Sequence, residues 1–132
     1  FCTMGVALPL AMGVKTAAPD RPVLAVMGDG GAEMVLGEFA TLRDMGAPLV
    51  VMILVDESLA LIELKQRREG LKSVGVAFGA TDWAALAAAM GGVGVWARDA
   101  ETVEREIAAG LSRETFTLVA AVIGKGAYDG AF

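Results

Sequence analysis

The sequence predicts an α/β fold: a doubly wound parallel sheet flanked by helices, in a single domain. Two observations carry this. Apolar runs alternate with helix-period segments along the chain, the signature of repeated strand-helix units. The apolar runs are also continuous rather than alternating, as expected of strands covered on both faces, and the chain is 55% hydrophobic with mean hydropathy +0.58. At 132 residues it has an ordinary domain size, enough to bury one core.

The elements follow in order. Met4 to Ala17 reads as a first helix, with Pro9 tolerated near its start and Pro19 and Pro22 closing it. Val23 to Met27 is a buried strand that runs into Gly28-Asp29-Gly30-Gly31. From Glu33 to Met45, Leu36, Phe39, Ala40 and Leu42 recur at helical spacing, and Gly46 with Pro48 ends that helix. Leu49 to Val55 is a second continuous strand, followed by the polar break Asp56-Glu57-Ser58. Leu59 to Arg68 predicts a short helix or ordered loop. Asp82 caps an Ala-rich helix through Met90, Val93 to Trp96 forms a strand, and Asp99 caps a charged helix through Leu111. Phe116 to Ile123 is the last strand, and Gly124 to Phe132 reads as a loosely tied tail.

Several function classes are disfavoured. Charges, Gly or Pro interrupt every apolar run before the ~18 residues of a membrane span. A net charge of −5 gives no electrostatic footprint for nucleic acid. There is no His, so the commonest general base and transition-metal ligand are missing, and chemistry must come from carboxylates, backbone groups, a hard metal or a cofactor. The single Cys cannot close an internal disulfide, which favours a cytoplasmic setting. The chain starts at Phe1 rather than Met, and is expected to be a piece of something longer.

Ligands of an open parallel sheet bind at the carboxyl ends of its strands. Both polar breaks fall there. Glycines at 28, 30 and 31 allow close backbone approach, and a helix start offers N–H donors to an anion. If the two strands are neighbours, Asp29 and Asp56 face each other across one crevice. Two carboxylates beside N–H groups suit a hard cation such as Mg²⁺ bridged to a phosphate, with diphosphate and water completing about six oxygens. No Gly-Lys-Ser/Thr follows the glycines, and the third glycine of a dinucleotide fingerprint is absent.

The pattern Gly28-Asp29-Gly30, a helix, a strand and then Asp56, 27 residues after Asp29, resembles the thiamine-diphosphate motif. The run Thr3-Met4-Gly5-Val6-Ala7-Leu8-Pro9 looks like the corresponding segment of acetolactate synthases, and the resemblance covers essentially the whole chain. It implies a diphosphate-binding domain holding thiamine diphosphate and Mg²⁺. Asp29, Asp56 and the backbone carbonyl of Ser58 would be the metal ligands. Gly28, Gly30, Gly31 and Ala32 would serve the diphosphate, with Leu59 and Ala60 also at the cofactor. The backbone around Cys2 and Met4 would hold the pyrimidine edge, and Met4 would enforce the bent, reactive conformation, a catalytic role.

The resemblance also implies a 2-oxo acid decarboxylase or carboligase, acetolactate-synthase-like. Benzaldehyde-lyase-like and acyl-CoA-cleaving enzymes, or a non-catalytic cofactor-binding module, stay open as alternatives. The activating glutamate would come from a pyrimidine-binding domain of the same or a neighbouring subunit, in a homodimer or homotetramer. There are departures from the pattern. Asp56 stands in place of the family's Asn, Val55 replaces the Asn that often precedes it, and Cys2 replaces Gly. Lys65 stands where those synthases carry a substrate-pocket Trp. Lys65, Arg67 and Arg68 read first as a solvated face, Trp83 and Trp96 as core or interface anchors, and Tyr128 as a residue able to close over the site.

Overall fold

The computed structural model describes residues 3–127 and 129–130, which form one α/β domain around a four-stranded parallel sheet. In chain order the elements are α1 (Ala7–Ala17), β1 (Leu24–Gly28), α2 (Asp29–Glu33), α3 (Glu38–Met45), β2 (Val50–Val55), α4 (Ala60–Arg68), α5 (Trp83–Ala89), β3 (Val93–Ala97), α6 (Ala100–Gly110) and β4 (Thr117–Val122). The strands lie in the order β1-β2-β4-β3, every neighbouring pair parallel.

Residues paired across parallel strands share a face, so the register divides the sheet into two surfaces. Ala25, Val51 and Leu118, then Met27, Ile53 and Ala120, point into the main core. That core is filled by Leu8 and Met12 of α1, Phe39 and Leu42 of α3, and Trp83 and Ala87 of α5. The opposite surface presents Val50, Val119 and Ala97 to Val103 and Ile107 of α6. The chain therefore winds on both sides of the sheet. The α6 crossover, which steps back from β3 to β4, takes the other face, as right-handed connections require. α6 does not reach β1, where Leu24 and Val26 remain exposed on the outer strand.

The expected caps are present: Asp82 accepts from Ala85 N–H and Asp99 from Thr102 N–H. The two expected aromatic anchors differ, since Trp83 is buried whereas Trp96 is partly buried with its indole N–H 3.4 Å from Asp82 Oδ1.

Three boundaries depart from the expectations. The first helix starts at Ala7 rather than Met4, because Thr3 (φ 55°) and Gly5 (φ 80°) turn left-handed. A Cβ at Gly5 would stand 2.8 Å from Val35 Cγ1 and 3.0 Å from the Gly31 carbonyl, so this turn is wedged against the next site segment. The helix expected over 33–45 begins only at Glu38, and a separate short helix, α2, takes residues 29–33 where the glycine turn stood. Between them the chain makes tighter i→i−3 bonds, Val35 N–H to Ala32 O (3.1 Å) and Glu38 N–H to Val35 O (2.9 Å), which wind α3 up against the core. The tail is tied more firmly than its glycines suggested, by a bidentate Arg67–Asp129 pair (2.6 and 3.2 Å) and by Lys125–Glu57 (3.7 Å). The expectation for Tyr128 lies outside the described residues.

Candidate functional site

β1 and β2 are parallel neighbours with Gly28 beside Leu54, so the residues that follow them emerge together at one edge of the sheet. Asp29 is 2% exposed and Asp56 6%. The Asp29 carboxylate acts as a frame. Its Oδ1 accepts from Gly30 N–H (2.8 Å), and its Oδ2 accepts from both Asp56 N–H (3.0 Å) and Glu57 N–H (2.7 Å). One side chain thus fixes the turn at the end of the other strand.

Asp56 Oδ1 accepts from Ser58 N–H (3.2 Å), while its Oδ2 is a buried oxygen with no hydrogen-bond partner among the described residues. Leaving a buried charged oxygen unmatched is costly. Burial, and then the negative charge of Asp29, hold the Asp56 carboxyl above its ordinary value; the Ser58 amide and Lys125 act in the opposite direction, and Glu63 adds to the rise. Such an oxygen has the chemistry to ligate a hard cation. Among the described residues no three His, Cys, Asp or Glu side chains cluster for a metal, so a cation here would take further oxygens from the backbone, water or a bound ligand.

The surroundings form a cleft of about 360 Å³, within the ~300–1,000 Å³ range of small-molecule sites. Met4, Gly28, Asp29, Gly30, Gly31, Asp56, Ser58, Leu59 and Ala60 all line it, so most of the expected site residues converge. Ala32 does not line it, and its side chain is fully buried in the main core. Cys2 lies outside the described residues. The Gly30 N–H is committed to Asp29, and α2 spans only five residues, so the helix start supplies less to an anion than the sequence suggested.

Asp56 does not cap α4, whose N-cap is Leu59 without a side-chain bond. Lys65 is exposed on α4 and off the cleft wall, while Arg67 is engaged with Asp129. Glu33 of α2 accepts from Thr81 Oγ1 (2.7 Å).

Sequence reasoning did not single out the apolar rim of Val6, Leu54, Leu61 and Ile62, nor the Glu57 amide. The mixed apolar and basic pattern of 59–68 conceals which α4 residues face the cleft. Glu57 is held at φ 56°, an uncommon conformation for a side-chain-bearing residue. No helix among the described residues is long and apolar enough to cross a membrane.

The chain is 32% identical over 127 residues to an acetolactate synthase large subunit of Parasynechococcus marenigrum, covering 94% of this chain and 21% of that protein. It is 33% identical over 120 residues to a probable 2-ketoarginine decarboxylase AruI of Pseudomonas aeruginosa, covering 90% of this chain and 22% of that one. The chain therefore spans about a fifth of the length of these relatives. Its fold matches the thiamine diphosphate-dependent 4-hydroxybenzoylformate decarboxylase of Rhodococcus jostii RHA1 with a TM-score of 0.84 at 24% identity, over 92% of this chain and 23% of that one. The family model for the C-terminal TPP-binding domain of thiamine pyrophosphate enzymes matches residues 1–121. With that match over nearly its full length, the chain belongs to the thiamine pyrophosphate enzyme family, as its C-terminal TPP-binding domain.

Proposed function

We propose that this domain holds Mg²⁺ and the diphosphate of thiamine diphosphate within a larger enzyme that decarboxylates a 2-oxo acid or joins its acyl group to a second carbonyl. The carrying observation is the buried, unpartnered Asp56 Oδ2 in the turn that Asp29 fixes, at the ends of adjacent strands. Asp29 and Asp56 would hold the metal by their side chains and Ser58 by its carbonyl, while Gly28, Gly30 and Gly31 allow the diphosphate to approach the backbone. When bound, thiamine diphosphate supplies an electron sink beside a carbonyl carbon.

The chain's own residues bind, orient and exclude water. Met4 lines the cleft wall and would serve as the prop for the ring system, and Leu61 and Ile62 present an apolar rim. The chain has no His, and proton transfer to the pyrimidine would depend on a carboxylate from a pyrimidine-binding domain of the same or a neighbouring subunit. A homodimer or homotetramer would bring the two together. The relatives named for acetolactate synthesis and for decarboxylation support this class of chemistry.

Two measurements test the reading. Calorimetric titration of thiamine diphosphate into the complete gene product should show binding with Mg²⁺ and none with chelator; metal-independent binding contradicts it. Assayed with a panel of 2-oxo acids, this chain alone should be silent and should gain turnover on mixing with the separately expressed remainder. Turnover by the chain alone refutes the division of labour.

A further inference from the structure

We propose that the segment Val76-Ala77-Phe78, outside the signature residues, is the positioning element of the metal-binding turn, with Phe78 as its key side chain. The proposal rests on the reading of Asp56 and Ser58 as metal ligands. Ser58 and Ala77 form an isolated antiparallel bridge, closed by Leu59 N–H to Val76 O (2.7 Å) and Phe78 N–H to Glu57 O (3.4 Å). In a pair of this type the bonds belong to the flanking residues, and the N–H and C=O of the facing residues turn outward. The Ser58 N–H accordingly leaves Ala77 and meets Asp56 Oδ1 (3.2 Å). Its carbonyl, the third ligand in the proposed set, is turned away from Ala77 with it.

The turn needs such a clamp. Glu57 sits at φ 56°, a conformation that persists only when its surroundings over-determine it. Asp29 grips the Asp56 and Glu57 amides from one side, and the 76–78 segment takes the Glu57 carbonyl and Leu59 amide from the other. Phe78 connects the clamp to the glycine turn. A Cβ built on Gly30 would stand 2.7 Å from Leu59 Cδ2 and 3.6 Å from two carbons of the Phe78 ring, so Leu59 and Phe78 both pack where Gly30 has no side chain.

The segment is itself anchored at both ends. Gln66 of α4 exchanges two bonds with the Val74 backbone (3.1 and 3.3 Å), and Thr81 Oγ1 donates to Glu33 Oε1 of α2 (2.7 Å), while Val76 is buried. Partners behind metal ligands commonly change metal affinity ~10–100-fold when removed.

The test compares wild type, Phe78→Ala, Phe78→Leu and Thr81→Val in the complete gene product. It measures the Mg²⁺ concentration that half-saturates thiamine diphosphate binding, and Leu59 amide exchange without metal. Phe78→Ala should raise the Mg²⁺ requirement about tenfold and speed Leu59 exchange by a similar factor, with Phe78→Leu restoring most of both. Thr81→Val, which keeps side-chain volume and removes one hydrogen bond, should move both readouts in the same direction by a smaller factor and serves if Phe78→Ala does not fold. An unchanged Mg²⁺ requirement with unchanged Leu59 exchange overturns the proposal, as does a loss that Phe78→Leu fails to rescue. If wild type itself does not bind Mg²⁺ with thiamine diphosphate, the proposed function falls, and Leu59 exchange still decides whether the segment clamps the turn.

Discussion

Asp29→Asn tests the architectural role of Asp29 in the absence of metal. In the native domain both carboxylate oxygens accept, Oδ1 from Gly30 and Oδ2 from Asp56 and Glu57. Asparagine can keep the Oδ2 pair by placing its carbonyl oxygen there, but its NH₂ then faces the Gly30 N–H, donor against donor. A hydrogen bond to a charged acceptor is worth about 1.5–3 kcal/mol and a neutral one about 1 kcal/mol. Losing one bond and weakening two therefore costs roughly 3–4 kcal/mol, which relief of the repulsion with Asp56 offsets to about 2 kcal/mol. For a domain of this size that is about 5–10 °C in melting temperature. The assay is thermal unfolding of the gene product in Mg²⁺-free buffer, with hydrogen exchange read at the amides of Asp56 and Glu57. An Asn variant that melts with wild type, or that protects those two amides equally, refutes the frame.

Asp56→Asn should act in the opposite sense on the metal-free protein. The Asp56 carboxyl lies above its ordinary 3.8 in the folded state, through burial first and then Asp29. Its ionised form therefore costs stability that is absent below about pH 3.8, grows as pH rises towards the raised folded value, and is complete above it. The Asn variant should be the more stable at neutral pH, with the advantage vanishing in acid, and scans of both proteins that fail to converge in acid would contradict the assignment. Gly5→Ala should cost about 2 kcal/mol or more, since φ is 80° and the new Cβ would meet Val35 and the Gly31 carbonyl; a neutral result in a urea titration counts against the wedge. Met4→Ala in the complete enzyme should lower turnover more than it weakens cofactor binding, and lost affinity at unchanged turnover would show that Met4 only packs.

Much of this domain was legible because its signals are local. A continuous apolar strand ending in Gly28-Asp29-Gly30, and another ending in Asp56, place two carboxylates at strand ends, and consecutive strands tend to be neighbours. Asp82 and Asp99 announced their helices by the same local logic. What escaped depends on contacts distant in sequence. The turn over 34–37 sets Val35 against Gly5, and nothing in the helical periodicity of 33–45 records it. The commitment of the Gly30 N–H to Asp29, rather than to an anion, is a matter of rotamer. The role of Phe78 rests on backbone bonds to residues some twenty positions earlier; its one trace is the alternation Val76-Ala77-Phe78 between Gly75 and Gly79, which marks a short extended stretch without saying what it pairs with.

The three amides gathered by Asp29 also bear on how an enzyme built on this domain survives losing its cofactor. Because the turn carrying Asp56 and Ser58 is tied to Asp29 through backbone amides, the proposed receptacle should persist when its cation is removed. Chelation should then empty the site without melting it. Reactivation on returning Mg²⁺ and thiamine diphosphate should be a second-order process, its rate rising with cofactor concentration, free of the slow concentration-independent phase that refolding would impose. The stripped protein would behave as a reserve of dormant enzyme, ready whenever the vitamin-derived cofactor becomes available.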